Sequence, residues 1–225
     1  MSTQTVPTNP PRQVHSIGYN LAGIAILVLL LAVGAAYLVD GLERADKVPP
    51  PNQADMHKIS VTISGQELAI PASWFRYEGQ MQEGFSSQID LRMTLKSRDG
   101  ATSFPIDVTL VPRSRARPSS VLLDGVYLHQ FDKAVVSGVP GLVGKPLLAN
   151  AGFSGETVWY DALSPNPFVA KCLAPVEKKL DGRCLRTVYL ESGIAAIYSF
   201  DAKALVSWQS FDTQMQKWLA EIGAI

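Results

Sequence analysis

This sequence lacks a surplus of charge of either sign. Its 225 residues include 20 Lys and Arg against 20 Asp and Glu, so the formal net charge is zero. Because a nucleic-acid binder needs a basic surplus for phosphate contacts, this balance argues against a DNA or RNA partner. The length allows one domain of ordinary size plus an anchor, but not two large domains.

The sequence also has few residues that ligate metals. Cysteine occurs only at Cys172 and Cys184, and histidine only at His15, His57 and His129, none of them close to a cysteine along the chain. A structural zinc site needs four ligands, and a redox pair is expected as Cys-x-x-Cys. We therefore expect no metal site and no cofactor.

Recognisable catalytic motifs are missing as well. Residues 138–146 resemble a phosphate-binding loop, but a proline stands where the magnesium-binding Ser or Thr belongs. Residues 152–155 lack the spacing of a nucleophile elbow. His129 with Asp124 or Asp132 and a serine forms a triad only on paper, as such residues do in most proteins of this size. We predict that the protein is not an enzyme.

A long uncharged run near the N-terminus predicts a membrane anchor. Residues 21–39 contain no charged side chain, and at 1.5 Å per residue they span about 28 Å, close to the thickness of the hydrocarbon core. Tyr19 and Tyr37 lie near the two ends, where aromatic rings prefer the headgroup region, and Asp40 ends the run. We predict a transmembrane helix at residues 17–39.

A cleaved signal peptide is the main alternative to this anchor. Arg12, the apolar run, and the small residues Gly34 and Ala36 in cleavage-like spacing all fit a signal sequence. Because the run continues to residue 39 and exceeds a usual signal core, we favour an uncleaved anchor.

The orientation of the anchor is not set by basic residues, since Arg12 precedes the helix while Arg44 and Lys47 follow it. The short acid-free tail and the two downstream cysteines favour an N-terminus inside and a domain outside the cytoplasm. We expect a single-pass protein of the bacterial inner membrane. Its predicted parts are a disordered cytoplasmic tail at 1–16, a proline-rich stalk at 40–56 and a periplasmic domain at 57–225.

The domain is dominated by apolar residues that alternate with polar ones, as in half-buried strands. Two hairpins are predicted, at 59–70 around Ser64-Gly65 and at 89–110 around Asp99-Gly100. Further strand-like runs occupy residues 141–148, 156–161, 168–173, 184–190 and 194–200.

Two segments have helical periodicity. Ser119 or Ser120 is placed to cap a helix that runs towards Phe131, and Asp201 is placed to cap a C-terminal amphipathic helix. The apolar stripe of the second helix is Leu205, Trp208, Phe211, Met215, Trp218, Leu219 and Ile222. The predicted fold class is therefore α+β, an antiparallel sheet of hairpins with the C-terminal helix packed on it.

The two cysteines lie at the ends of two predicted strands, so the favoured interpretation is a disulfide between Cys172 and Cys184. Closing a loop of this size stabilises a fold by about 3 kcal/mol on the chain-entropy argument. Such a bond implies an oxidising compartment. Two free buried thiols, or redox or metal chemistry, are the alternatives.

The most distinctive polar segment is the run from Pro112 to Pro118, which contains Arg113, Arg115 and Arg117. If the flanking prolines enforce an extended conformation, side chains two residues apart share a face and the three guanidinium groups project together. Such a strip is a candidate binding site for phosphate or carboxylate groups. Edge protection or internal salt bridges are the more ordinary interpretation.

Several segments together resemble a family of uncharacterised, membrane-anchored proteins of proteobacteria. They are residues 112–119, 124–128, 141–144, 167–172, 184–188 and 198–200, and the resemblance covers about residues 85–222. It implies a cell-envelope location and the bacterial inner membrane, and it brings no known reaction. In pattern alone, the ending also looks like that of extrinsic photosystem-subunit-like domains, which mostly bind and scaffold.

These observations favour a periplasmic binding or scaffold domain whose partner is an envelope protein or an anionic polymer. A role as an accessory subunit of an envelope complex would fit this hypothesis. The rival is an envelope hydrolase whose site no motif reveals. A deep pocket holding His129 or clustered carboxylates would favour the enzyme, and a shallow basic surface the binder. Ala32 and Ala36 form a small-xxx-small pair that is too common to assign an oligomeric state.

Overall fold

The structure, a computed structural model, describes residues 24, 26–35, 57–175 and 182–225. The chain divides into two compact units, Met1–Pro49 and Pro50–Ile225. In the first unit the described residues are helical.

Within those described ranges, no helix is both long enough and apolar enough to cross a membrane. The remainder of the anchor predicted at 17–39 lies outside the described residues, as do the whole predicted tail at 1–16 and the whole predicted stalk at 40–56.

In the described part of the second unit, residues 57–175 and 182–225, there are ten strands and two α-helices. The strands are β1 (Lys58–Ile63), β2 (Gln66–Pro71), β3 (Gly84–Phe85), β4 (Ile89–Lys96), β5 (Ser103–Pro112), β6 (Val143–Pro146), β7 (Glu156–Tyr160), β8 (Val169–Leu173), β9 (Arg183–Tyr189) and β10 (Ile194–Asp201). The helices are α1 (Ser119–Gly125) and α2 (Trp208–Glu221). The predicted α+β class with a C-terminal helix is confirmed.

The strands form two sheets instead of the single sheet that the sequence suggested. The small sheet has the order β2-β1-β3, and the large sheet has the order β4-β5-β10-β9-β8-β7-β6. All neighbours are antiparallel except β1 and β3, which pair in parallel over two residues. The outer edge of β2 is occupied by the end of the chain, since Ala69 donates its backbone N–H to the carbonyl of Ile222 at 3.1 Å.

Both predicted hairpins are present, and their turns explain their registers. Ser64 and Gly65 both have positive φ, 54° and 80°, as a type I′ turn between two strands requires. In the second hairpin Ile89 lies opposite Leu110 and Leu95 opposite Phe104, so the alternating apolar residues fall on one face.

One face of the large sheet, together with the small sheet and α2, encloses the main core. Phe211, Met215 and Leu219 of α2 are fully buried, which confirms the predicted apolar stripe. Asp201 does not cap α2 itself; it accepts the backbone N–H of Lys203 at 2.8 Å and so caps the 3-10 helix Ala202–Ser207 that leads into α2.

The free edge of β4 is closed by side chains of α2. The amide of Gln214 accepts the backbone N–H of Lys96 at 2.8 Å and donates to its carbonyl at 2.9 Å. Trp218 donates its indole N–H to the carbonyl of Thr94 at 3.2 Å. These contacts blunt an edge that could otherwise pair with another chain.

The opposite face of the large sheet is covered only in part. There α1 and the 3-10 helix Tyr127–Gln130 enclose a second core of Leu123, Tyr127, Leu147, Val158 and Val169. The predicted serine cap of α1 is wrong, because Pro118 is the N-cap residue and the hydroxyl of Ser119 accepts the N–H of Thr187 at 2.9 Å. The face of β4, β5, β10 and the start of β9 carries polar side chains, and we call it the open face.

Candidate functional site

The arginine strip does not adopt the conformation on which its prediction depended. Arg113–Arg115 is a 3-10 turn and not an extended segment. The guanidinium of Arg113 lies 4.4 Å from the centre of the Tyr189 ring, and Arg115 donates to the carbonyl of Ser87 at 3.0 Å. All three arginines are exposed, and Arg113 and Arg115 contact their own domain. Binding by this strip stays a prediction.

The predicted disulfide is present. Cys172 in β8 and Cys184 in β9 lie directly opposite each other, with an S–S distance of 2.00 Å and both residues buried. Of the loop between them, residues 176–181 lie outside the described part of the chain.

The features that would favour an enzyme do not come together. His129 is exposed on the 3-10 helix after α1. Three grooves of about 470, 180 and 370 Å³ lie along α2 and the β4–β5 turn, and His129 lines none of the three. Within residues 57–175 and 182–225, no three His, Cys, Asp or Glu side chains are grouped as a metal site requires.

A cluster of charged side chains lies on the open face. Asp107 of β5, whose side chain is only 12% exposed, accepts contacts from three guanidinium groups. Arg92 Nε lies 2.9 Å and Arg76 Nε 3.5 Å from Asp107 Oδ1, and Arg183 Nη2 lies 3.2 Å from Asp107 Oδ2. We call these four residues the Asp107 cluster. The three arginines share one acceptor, the largely buried carboxylate of Asp107, and hydrogen bonds between charged groups are stronger than those between neutral ones.

Strand pairing brings these residues together. Arg92 lies opposite Asp107 in the β4–β5 hairpin, and Ser199 of β10 lies opposite Asp107 on the other side. Arg183, at the start of β9, reaches across β10 and donates to the Ser199 hydroxyl at 2.9 Å. Arg76 precedes β3 and is held beside β4 by its backbone N–H, which donates to the carbonyl of Asp90 at 2.9 Å.

Asp90 lies beside the Asp107 cluster on the same face, and its carboxylate is fully engaged. It accepts hydrogen bonds from Thr109 at 2.6 Å and from Gln80 and Gln88 at 2.9 Å each. Burial alone would raise the pKa of this carboxyl, but these hydrogen bonds and the nearby Arg76 outweigh burial and lower the pKa. Asp90 is therefore held in its ionised form.

The open face carries more positive than negative charge. Its cations are Arg76, Arg92, Lys96 and Arg183, and its carboxylates are Asp90, Asp107 and Asp201, so four positive groups against three negative ones leave one net positive charge. The side chains of Arg92 and Arg183 are 42% and 52% exposed. Each guanidinium has five N–H donors, and Asp107 takes only one from Arg92. Donors therefore remain available for a carboxylate or phosphate group from outside.

Apolar side chains border this charged surface. Leu185 is 45% exposed and Leu173 is 50% exposed, and both point to the same side of the sheet as Asp107, because Leu185 lies opposite Ser199 and Leu173 lies opposite Arg183. Asp107 and these two leucines line none of the three grooves described above.

Part of this site had a signal in the sequence. Arg92 and Asp107 are equally distant from the Asp99-Gly100 turn of the predicted hairpin, so their cross-strand pairing followed from that hairpin. Arg76 and Arg183 had no such signal, because they reach Asp107 through segments far apart in the sequence.

No protein-family model matches this chain, and no curated protein sequence matches it. A solved structure with limited similarity to this chain is Smlt3025, an immunity protein of the Stenotrophomonas maltophilia type IV secretion system. The match has a TM-score of 0.49 and 9% sequence identity, and it covers 74% of this chain and 93% of that chain. At that similarity, neither fold nor function is inferred from it.

Proposed function

We propose that this protein is a membrane-anchored binding or scaffold domain of the bacterial cell envelope, and not an enzyme. It binds an anionic group of an envelope partner through the open face. The observation that carries this proposal is the convergence of Arg76, Arg92 and Arg183 on the single carboxylate of Asp107.

Binding fits this surface better than proton transfer does. A general acid or base works best with a pKa near the operating pH, whereas the pKa of Asp90 is moved in the other direction. The surface is open, so water is not excluded from a reacting group. Guanidinium groups held in place by a shared acceptor are, in contrast, well suited to recognise an anion.

The location in this proposal rests on two features of the chain. The uncharged run at residues 21–39 has the length of a membrane helix, and its described part at 26–35 is helical. The disulfide between Cys172 and Cys184 fits the oxidising environment outside the cytoplasm. The protein would then be oriented with its N-terminus inside, its domain in the periplasm, and a role as an accessory subunit of an envelope complex.

Co-purification of the full-length chain from bacterial membranes tests the proposed function. The variant Arg92→Gln/Arg183→Gln removes the two exposed cations of the Asp107 cluster, and Arg98→Gln/Lys217→Gln removes two exposed cations elsewhere. We expect the first variant to lose partners that the wild type and the second variant keep. Identical partners for all three proteins would contradict binding through the open face.

A third variant addresses the arginine strip separately. Replacing Arg113, Arg115 and Arg117 together by Gln should leave the partners unchanged if the strip serves only its own domain. Loss of partners in this variant alone would move the binding site to the strip.

A further inference from the structure

We propose that the Asp107 cluster, together with Leu173 and Leu185, is a docking surface for a partner protein that presents a carboxylate side chain next to an apolar one. This inference rests on the binding function proposed above and names the chemistry of the partner. The partner is then an acidic segment of a protein, and not an anionic polymer or a lipid headgroup.

The arrangement of the strands places the apolar and basic side chains next to each other. Arg183 lies opposite Leu173 of β8 and two residues before Leu185 of β9, on the same face. Side chains directly opposite in an antiparallel pair have Cβ atoms about 5 Å apart, and those two residues apart along one strand are about 7 Å apart. An anion held by Arg183 therefore lies within reach of both leucines.

The charge of the open face favours a ligand with one negative charge. Asp90, Asp107 and Asp201 offset three of its four cations, so a single positive charge remains. The carboxylate of a glutamate or aspartate matches that charge and accepts two parallel N–H bonds from a guanidinium fork. A polyanion would bring several charges close to these three carboxylates, and that repulsion would weaken its binding.

The leucines favour a protein over a polymer. Leu173 and Leu185 are about half exposed in the described structure, and burying such a side chain fully is worth about 1.5–3 kcal/mol relative to full exposure. A phosphate polymer or a sugar offers them no apolar contact, whereas a leucine or valine beside the acidic residue of a partner would cover them. Arginine next to apolar side chains is also typical of the buried part of protein interfaces.

The strands make the surface a rigid one. Arg92 and Asp107 lie within β4 and β5, and Arg183 and Leu185 lie within β9. These positions are held by backbone pairing on both sides, apart from the capped edge of β4. A partner therefore meets groups that are already in place, which lowers the entropy cost of binding.

An NMR titration of the full-length chain in detergent micelles tests this inference. The probes are the capped peptide acetyl-Gly-Leu-Glu-Leu-Gly-amide, the same peptide with Gln in place of Glu, and inorganic polyphosphate. The signals to follow are the Nε–H groups of Arg92 and Arg183 and the methyl groups of Leu173 and Leu185. We expect the Glu peptide to shift both sets of signals at millimolar concentration, and the Gln peptide to bind at least tenfold more weakly.

Two variants separate the charge from the apolar contact. Arg92→Gln/Arg183→Gln should abolish the shifts of the leucine methyl groups, whereas Arg98→Gln/Lys217→Gln should leave them unchanged. Leu173→Gln/Leu185→Thr, at two exposed positions, should weaken the Glu peptide several-fold without affecting binding of polyphosphate. If the Glu peptide binds this leucine variant with unchanged affinity, the apolar part of the inference is overturned. This variant leaves the Asp107 cluster itself unchanged.

The outcomes also distinguish this inference from the proposed function. If polyphosphate shifts the arginine signals at lower concentration than the Glu peptide, the protein partner is rejected while anion binding by the open face stands. If none of the three probes shifts Arg92 or Arg183, both the inference and the proposed binding site are overturned.

Discussion

We expect the substitution Asp212→Asn to lower the free energy of unfolding by about 2–3 kcal/mol, because it removes the charged partner of a buried arginine. Arg186 of β9 is only 6% exposed. Its Nε and Nη2 donate to the two carboxylate oxygens of Asp212 in α2, at 3.0 and 2.6 Å. Its Nη1 donates to the carbonyl of Val169 at 3.1 Å, and its guanidinium lies 4.4 Å from the centre of the Phe168 ring.

The expected magnitude follows from how deeply each partner is buried. Removing one member of a fully buried ion pair costs about 3–5 kcal/mol. The side chain of Asp212 is 46% exposed, so water already reaches one side of the pair, and Arg186 keeps its bond to Val169 and its contact with Phe168. The loss should therefore lie below that range, at about 2–3 kcal/mol.

Urea unfolding of the full-length chain, followed by tryptophan fluorescence, measures this loss. For a domain of this size it corresponds to a decrease in Tm of about 4–12 °C. Glu221→Gln is the matched control, because it removes a carboxylate from the exposed side of the same helix, and it should change stability by less than about 0.5 kcal/mol.

A double-mutant cycle with Arg186→Met completes the test. The coupling free energy between Arg186 and Asp212 should exceed about 1 kcal/mol. If Asp212→Asn costs no more than Glu221→Gln, or if the coupling is close to zero, the pair does not link the sheet to α2 in the way that its geometry indicates.

Three further expectations concern the packing, the disulfide and acid stability. Gly144→Ala should destabilise the fold by about 1–3 kcal/mol, because a Cβ there would lie 2.7 Å from a backbone carbonyl oxygen. The control Gly79→Ala places its Cβ in open space and should be nearly neutral. Thermal unfolding of the two variants measures the difference. Reducing the bond between Cys172 and Cys184 should cost about 3 kcal/mol, and an unchanged Tm with reductant would contradict this. The folded-state pKa of Asp90 lies below its ordinary value of 3.8, so the ionised carboxylate stabilises the fold above that pH, and this stabilisation is lost as the pH falls further. Asp90→Asn should therefore lower the free energy of unfolding at neutral pH and reduce its decrease in acid. An unaltered dependence of the free energy of unfolding on pH would refute this role.

Most strands of the domain follow from alternation of apolar and polar residues, because a strand with one buried face has a period of two. The β4–β5 hairpin shows this best, since the Asp99-Gly100 turn and the alternation agree on a single register. The stripe of α2 was equally visible, and Phe211, Met215 and Leu219 lie in the core as expected.

Local sequence was less informative where a tertiary contact competes with a local one. The hydroxyl of Ser119 was expected to cap α1, but it is used by the backbone of Thr187 in β9. The arginine segment was expected to be extended, but contacts with Tyr189 and Ser87 accompany a 3-10 turn. In both cases the contacting residue is distant along the chain, so no local sequence pattern predicts the contact.

The sequence by itself determined the α+β class, the hairpins, the amphipathic α2 and the pairing of Cys172 with Cys184. The first three depend on residues that are close together in the sequence, and the last depends on there being only two cysteines. Only the tertiary structure decided that the strands divide into two sheets and that β10 lies between β5 and β9. That order brings Arg183 to Asp107, and the short α1 leaves their face uncovered. The physical reason is that periodicity specifies which side of a strand is buried, whereas the choice of neighbouring strands depends on how all the apolar faces of the domain are buried together.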